Sequence, residues 1–202
     1  MFKTEMHRLF KKNSYCVISR NGKHSEKSLK TVNAKIFNSD NDENYERRKF
    51  NTHMKVIKNA CEKKLKYCVI FDDVIDVSQF CTKQNLDIIH KFIKNNNNWD
   101  IFYLNYNNGF LYSNYNSDII HIKPTGSCAY IVSQKFMKKI NKSKYHNENL
   151  ASFYSKNAKN CYALKYRLFN GFRNDFVVSN NLGYVFFIVG LIVLILLFLF
   201  FV

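Results

Sequence analysis

Two adjacent carboxylates, Asp72 and Asp73, follow a continuous apolar run at residues 67–71. Such a run, without polar alternation, predicts a strand that is covered on both faces, in the middle of an α/β sheet. Ligands of these sheets bind just beyond the carboxyl ends of the strands. Two acids at that point could hold a divalent metal and, through it, a diphosphate. A simpler interpretation is that the two acids end the strand and cap the turn that follows.

The hydrophobic periodicity of the rest of the chain predicts strands that alternate with helices. Strands are expected at 15–19, 32–37, 67–71, 99–106, 119–122, 128–132 and 162–168. Helices are expected from Asn51 or Thr52 to about Lys66, at 84–94, and at 134–140 after a Ser133 cap. This order predicts an α/β sandwich with a mostly parallel sheet.

Composition narrows the class of protein. A chain of 202 residues accommodates one domain of ordinary size and an appendage. The six cysteines include no Cys-x-x-Cys pair, which favours a reducing compartment and indicates neither zinc nor disulfides. The net charge of +16 is typical of proteins that bind nucleic acid, an anionic bilayer or phosphates, or of a solvated lysine-rich surface. No nucleic-acid-binding motif occurs, so nucleic acid is not expected as a partner.

The last segment, residues 184–202, contains no charged side chain. As a helix of roughly 19 residues it would be about 29 Å long, enough to cross a hydrocarbon core. Residues 1–12 contain no apolar stretch typical of a signal peptide. We therefore expect a single-pass membrane protein with a C-terminal anchor and its body on the cytosolic face. The basic residues Lys165, Arg167 and Arg173 on the body side of the anchor favour this orientation. The alternative is a buried core helix.

Three segments follow one another in a characteristic order: a helix that leads into an acidic strand, a second strand, and a third. They read THM at 52–54 with VIFDD at 69–73, WDIFYL at 99–104, and GSCAYIVS at 126–133. This order resembles glycosyltransferase family 25, the lipooligosaccharide and procollagen galactosyltransferases. That family shows a Ser-His helix, an apolar strand ending in Glu-Asp-Asp, a Trp-Asp-Ile-Leu-Tyr-Leu strand and a Gly-Thr-x-Ala-Tyr-x-Ser strand. The resemblance covers about residues 15–170.

The resemblance implies a GT-A fold, an α/β sheet that binds a nucleotide-diphospho-sugar and holds Mn²⁺ or Mg²⁺ against the diphosphate. It implies that Asp72 and Asp73 are the catalytic and metal-binding residues. It also implies that Ser19, Arg20 and His53 contact the nucleotide sugar. The metal would neutralise charge that develops on the leaving phosphate. For His53 the alternative is an ordinary residue near the start of a helix, hydrogen-bonded to the backbone.

The same resemblance predicts how the strands are arranged. The strands at 67–71 and 99–104 are expected to be neighbours in the middle of the sheet. Asp72 and Asp73 are then expected to be exposed at one edge of the sheet, facing a cleft. Tyr130 is expected to lie in the core.

The chain departs from the family pattern at several places, and residues 20–50 are shorter than the family's donor-side region. The acidic triplet is a doublet, and either both aspartates match family acids or Asp72 replaces the glutamate and Val74 replaces the last acid. Arg48 and Lys49 stand where the family has Gly-Cys. Residues 149–154 read NLASFY and contain no aspartate, although the family has one in that segment.

Two functions therefore come into consideration, besides a membrane-bound nucleic-acid binder that would rest on charge alone. One is a membrane-tethered hexosyltransferase that uses a UDP-sugar and a glycan or protein acceptor. The other is an inactive GT-A scaffold that serves as a membrane or virion structural or binding protein. The compact length, the Asn/Lys-rich composition and the expected C-terminal anchor would suit a large DNA virus. The expected organisation is a family 25-like domain at 1–175, a juxtamembrane linker at 176–183 and a transmembrane anchor at 184–202.

Overall fold

The computed structural model describes residues 9–10, 13–18, 34–38, 42–72, 75–106, 112–123 and 129–171. Residues 1–171 form one compact unit. The linker and the anchor predicted from the sequence lie outside the described residues. Among the helices that are described, none is both long and apolar enough to cross a membrane.

The described part of the chain contains ten strands and four helices. The strands are β1 (Ser14–Ile18), β2 (Lys35–Asn38), β3 (Tyr67–Asp72), β4 (Ile75–Val77), β5 (Ile101–Tyr103), β6 (Tyr112–Asn114), β7 (Ile119–Ile122), β8 (Ala129–Ser133), β9 (Cys161–Leu164) and β10 (Phe169–Gly171). The helices are α1 (Tyr45–Glu62), α2 (Lys83–Asn95), α3 (Gln134–Ile140) and α4 (Leu150–Asn157).

Eight strands form one sheet in the order β2-β1-β3-β8-β5-β9-β7-β6, and β4 pairs with β10 in a small second sheet. The class is α/β, as expected, but the expectation of a mostly parallel sheet is wrong. Three of the seven pairings in the large sheet are parallel (β1–β2, β1–β3 and β5–β9), and the other four are antiparallel. Strands buried on both faces are continuously apolar whichever way their neighbours run, so the pattern did not reveal direction.

The expected pairing of the two strongest strands is also wrong, because β8 lies between β3 and β5. Since β8 is antiparallel to both, β3 and β5 run in the same direction. The carboxyl ends of β1, β2, β3, β5 and β9 therefore meet at one edge of the sheet. We call this the carboxyl edge.

Helices cover both faces of the sheet. On one face α1, α3 and α4 pack against alternate strand residues such as Cys68 and Ile70. On the other face α2 packs against the intervening residues, which include Val69 and Phe71. Because side chains alternate along a strand, Asp72 falls on the same face as Cys68 and Ile70 and lies towards α1.

Helix α1 begins earlier than the sequence predicts. Its cap is Asn44, whose side chain accepts a hydrogen bond from the backbone N–H of Arg47. Asn51 and Thr52, the expected caps, lie inside the helix. Asparagine and threonine both favour the cap position of a helix. The apolar periodicity that marks the helix becomes clear only after Phe50, so the start was predicted too late. The cap lies seven or eight residues earlier than expected, so α1 is longer by about two turns and includes Lys49.

Candidate functional site

The carboxyl edge has a reversal of strand order at β1. The chain passes from β1 to β2 on one side and then to β3 on the other, and both neighbours are parallel to β1. In open α/β sheets a crevice forms at such a reversal, outside the carboxyl ends of the strands. Val17 of β1 is paired with Asp72 of β3, so Asp72 lies at this position.

Only part of the predicted site falls within the described residues. Asp72 and His53 are described, and the structure brings them together. Ser19 and Arg20 follow β1 in the chain, and Asp73 follows β3, but these three lie outside the described residues. Their predicted roles stay predictions.

Asp72 is the last residue of β3 and is 7% exposed. The expectation that this carboxylate is exposed towards a cleft is therefore wrong for Asp72. Its side chain points to the face that α1 covers, where a buried carboxylate requires hydrogen-bond donors.

Two side chains of α1 supply these donors. Lys49 Nζ lies 2.7 Å from Asp72 Oδ2. His53 Nε2 lies 3.0 Å from Asp72 Oδ1. Residues four apart project from the same face of a helix, so Lys49 and His53 hold the two oxygens of one carboxylate from adjacent turns.

The charges of this cluster stabilise one another. Burial alone would raise the pKa of the Asp72 carboxyl, but the Lys49 ammonium and the hydrogen bond from His53 outweigh it and lower that pKa to about 2. Burial would likewise lower the pKa of Lys49. Asp72, Tyr45 and Glu46 together outweigh burial, so the pKa of Lys49 is raised. Asp72 and Lys49 therefore form a partly buried ion pair at neutral pH.

The network continues from His53 into the core. His53 Nδ1 bonds to the Tyr130 hydroxyl, and that hydroxyl lies 3.1 Å from the hydroxyl of Tyr154. A carboxylate only accepts hydrogen bonds, so Nε2 of His53 carries a proton and donates to Asp72. In the neutral imidazole Nδ1 then accepts from Tyr130, which in turn accepts from Tyr154. Burial raises the pKa of both tyrosines, so each hydroxyl keeps its proton.

Lys49 and Tyr154 were not identified as site residues from the sequence. Both stand in segments that depart from the pattern of family 25. Lys49 stands where that family has the Gly-Cys that precedes its Ser-His, and Tyr154 belongs to the segment without an aspartate. Lys49 and His53 are four residues apart, and in a helix that begins at Tyr45 this spacing places both on the same face. With the expected start at Asn51 or Thr52, Lys49 lay outside the helix and the spacing carried no such meaning. Tyr130 lies in the core, as expected, but it also carries a hydrogen bond of the site.

The side chains around Asp72 are hydrogen-bond donors, and they do not suit the binding of a divalent metal. Each carboxylate oxygen already accepts a hydrogen bond from a nitrogen, and one of those nitrogens carries a full positive charge. Mg²⁺ and Mn²⁺ prefer several oxygen ligands. The described residues contain no group of three His, Cys, Asp or Glu side chains that could hold a metal ion. A metal at this edge would therefore need ligands from outside the described residues.

Comparison with known proteins gives a fold neighbour. No family model and no curated protein matches the chain. Among solved structures, the crystal structure of A197 from STIV is similar, with a TM-score of 0.51 over 75% of this chain and 81% of that chain. The two sequences are 12% identical. At this identity the similarity concerns the fold alone.

Proposed function

We propose that this chain is a glycosyltransferase of the GT-A type that binds a UDP-sugar and transfers its hexose to a protein or glycan acceptor. The observation that carries the proposal is the reversal of strand order at β1, with Asp72 at the adjacent carboxyl end of β3. Nucleotides of open α/β sheets bind at this position. The order of the VIFDD, WDIFYL and GSCAYIVS segments supports the proposal through their resemblance to family 25.

Within this proposal the cluster under α1 has a defined role. His53 and Lys49 keep Asp72 ionised and fixed in orientation at the end of β3. The buried tyrosines hold the imidazole of His53 from the opposite side. A rigid, charged cluster of this kind would position a nucleotide sugar, and its side chains would not need to rearrange when the sugar is transferred.

A second candidate function is an inactive GT-A scaffold that serves as a structural or binding protein of a membrane or virion. The observation that favours it is the engagement of both Asp72 oxygens by Lys49 and His53, which leaves this acid without a metal-binding arrangement. The absence of an aspartate in residues 149–154 supports the same candidate.

One experiment separates the two candidates. UDP binding by the full-length protein is measured by calorimetry, and hexose transfer or UDP release is measured with a panel of UDP-hexoses. Binding with turnover supports the transferase, and binding without turnover supports the scaffold. Asp73→Asn and Asp72→Asn test the two acids, and Asp118→Asn, in an exposed turn, is the matched control. Absence of UDP binding and turnover would contradict the transferase.

We further propose that residues 184–202 anchor the protein in a membrane with the body on the cytosolic face. Protease added to sealed microsomes should then digest the body. Asn141 begins the sequence Asn-Lys-Ser and closes helix α3. A glycan on Asn141, or protection of the body from protease, would contradict the topology.

A further inference from the structure

We propose that the Lys49 ammonium takes the place of a divalent metal at the carboxyl edge and binds the diphosphate of the nucleotide sugar directly. The inference rests on the proposed function, and it assigns a phosphate-binding residue to that function. It follows from the position of Lys49, from the hydrogen-bond donors that its ammonium has left, and from the two nitrogen donors that already occupy the Asp72 oxygens.

The position of Lys49 is set by α1 and β3 together. Its Nζ lies 2.7 Å from Asp72 Oδ2, at the strand end where the order of the sheet reverses. The Asp72 side chain is 10% exposed and that of Lys49 is 20% exposed. The Lys49 side chain is therefore held in a fixed place and is partly exposed.

The ammonium also has hydrogen-bond capacity left. A lysine ammonium carries three N–H donors and no acceptor. One of the three points to Asp72. Oxygens of a phosphate are suitable acceptors for the others, and a charge-assisted bond of this type is roughly twice as strong as a neutral one.

A divalent cation and the Lys49 ammonium compete for the same carboxylate. A metal bound to Asp72 would displace the lysine from Oδ2 and leave two positive charges next to each other in a partly buried place. Like charges at such separations disfavour each other strongly. The ammonium is tethered by the helix, so it holds the position without any binding step.

The experiment uses UDP as probe and the full-length protein. Calorimetry is run once with EDTA and once with Mn²⁺. We expect the wild-type protein to bind UDP with the same affinity in both conditions. Lys49→Met keeps much of the length of the side chain but removes its charge, and it should weaken UDP binding at least tenfold. Lys49→Arg should retain most of the affinity.

Two controls keep the interpretation specific. Lys58→Met removes a lysine from the exposed face of the same helix and should leave UDP affinity unchanged. Electron paramagnetic resonance of Mn²⁺ mixed with wild-type protein should show only free Mn²⁺. The comparison of UDP affinity in EDTA and in Mn²⁺ uses wild-type protein, so it can overturn the inference even if Lys49→Met does not fold.

The possible failures are distinguishable. UDP binding that requires Mn²⁺, or bound Mn²⁺ that is lost in Asp72→Asn, overturns the role of Lys49 and leaves the proposed function standing. Equal affinity of wild type and a folded Lys49→Met in EDTA also overturns it. No UDP binding in either condition contradicts the proposed function as well as this inference.

Discussion

His53 Nε2 lies 3.0 Å from Asp72 Oδ1 and joins the buried face of α1 to the carboxyl end of β3. The imidazole is fully buried, and its other nitrogen bonds to Tyr130. One side chain thus connects an ionised carboxylate with the tyrosines of the core. Removing a member of a buried, hydrogen-bonded network leaves its partners unsatisfied in a low-dielectric interior.

The first prediction concerns His53. His53→Ala should lower the free energy of unfolding by about 2–4 kcal/mol, because it removes the hydrogen bonds to Asp72 and Tyr130 and opens a cavity. Urea denaturation followed by circular dichroism measures the change. His146→Ala removes the same side chain from an exposed position and should stay within about 0.5 kcal/mol of wild type. Equal midpoints for the two variants would show that His53 does not stabilise the fold.

The second prediction compares two buried tyrosine hydroxyls. Tyr130→Phe removes the hydroxyl that bonds to His53 and Tyr154, and it should cost about 1–3 kcal/mol. The hydroxyl of Tyr15 is also buried, but it has no hydrogen-bond partner among the residues that the structure describes. Tyr15→Phe should therefore be neutral or slightly stabilising. Similar losses in the two variants, measured by thermal unfolding, would contradict the network.

The third prediction concerns acid. The pKa of Asp72 is lowered from the model-peptide value of 3.8 to about 2, so the folded protein binds a proton at this site less readily than the unfolded chain. The ionised carboxylate stabilises the fold above about pH 4, and this contribution is lost as the pH falls to about 2. The difference corresponds to about 2 kcal/mol.

Denaturation curves at several pH values check this dependence. Asp72→Asn should be less stable than wild type at pH 7, and its stability should fall less steeply between about pH 4 and pH 2. Asp118→Asn, in an exposed turn, should keep the steep wild-type dependence. If Asp72→Asn follows the wild-type slope, Asp72 does not have the lowered pKa.

The fourth prediction concerns thiol reactivity. Burial raises the pKa of Cys81 and of Cys161 to about 12, and it raises the pKa of Cys68 as well. These three thiols are protonated at pH 8 and buried, so iodoacetamide should modify them only after unfolding. Cys61 is partly exposed and should react first among these four. Mass spectrometry of alkylated peptides, before and after denaturation, measures the order; rapid modification of Cys68 in the native protein would contradict it.

Much of the local structure could be predicted from the sequence because it depends on neighbours in the chain. Helix α3 occupies residues 134–140 as expected, and the Ser133 side chain caps it by accepting from the Phe136 N–H. The continuous apolar run at 67–71 is indeed a strand covered on both faces, β3. These features follow from capping and from the period of burial, which are local properties.

The direction of the strands and the surroundings of Asp72 were decided only by the tertiary structure. A continuous apolar run indicates burial on both faces but not the direction of its neighbours, so the insertion of β8 between β3 and β5 could not be predicted. The sequence identified Asp72 and His53 as candidates. It did not show that Lys49, on the same helix as His53, pairs with Asp72, or that Tyr154 bonds to Tyr130. Whether an acid is open to a metal or paired with a lysine depends on which helix lies over the end of its strand. That packing arises from contacts between residues far apart in sequence, so it cannot be predicted from the local hydrophobic pattern.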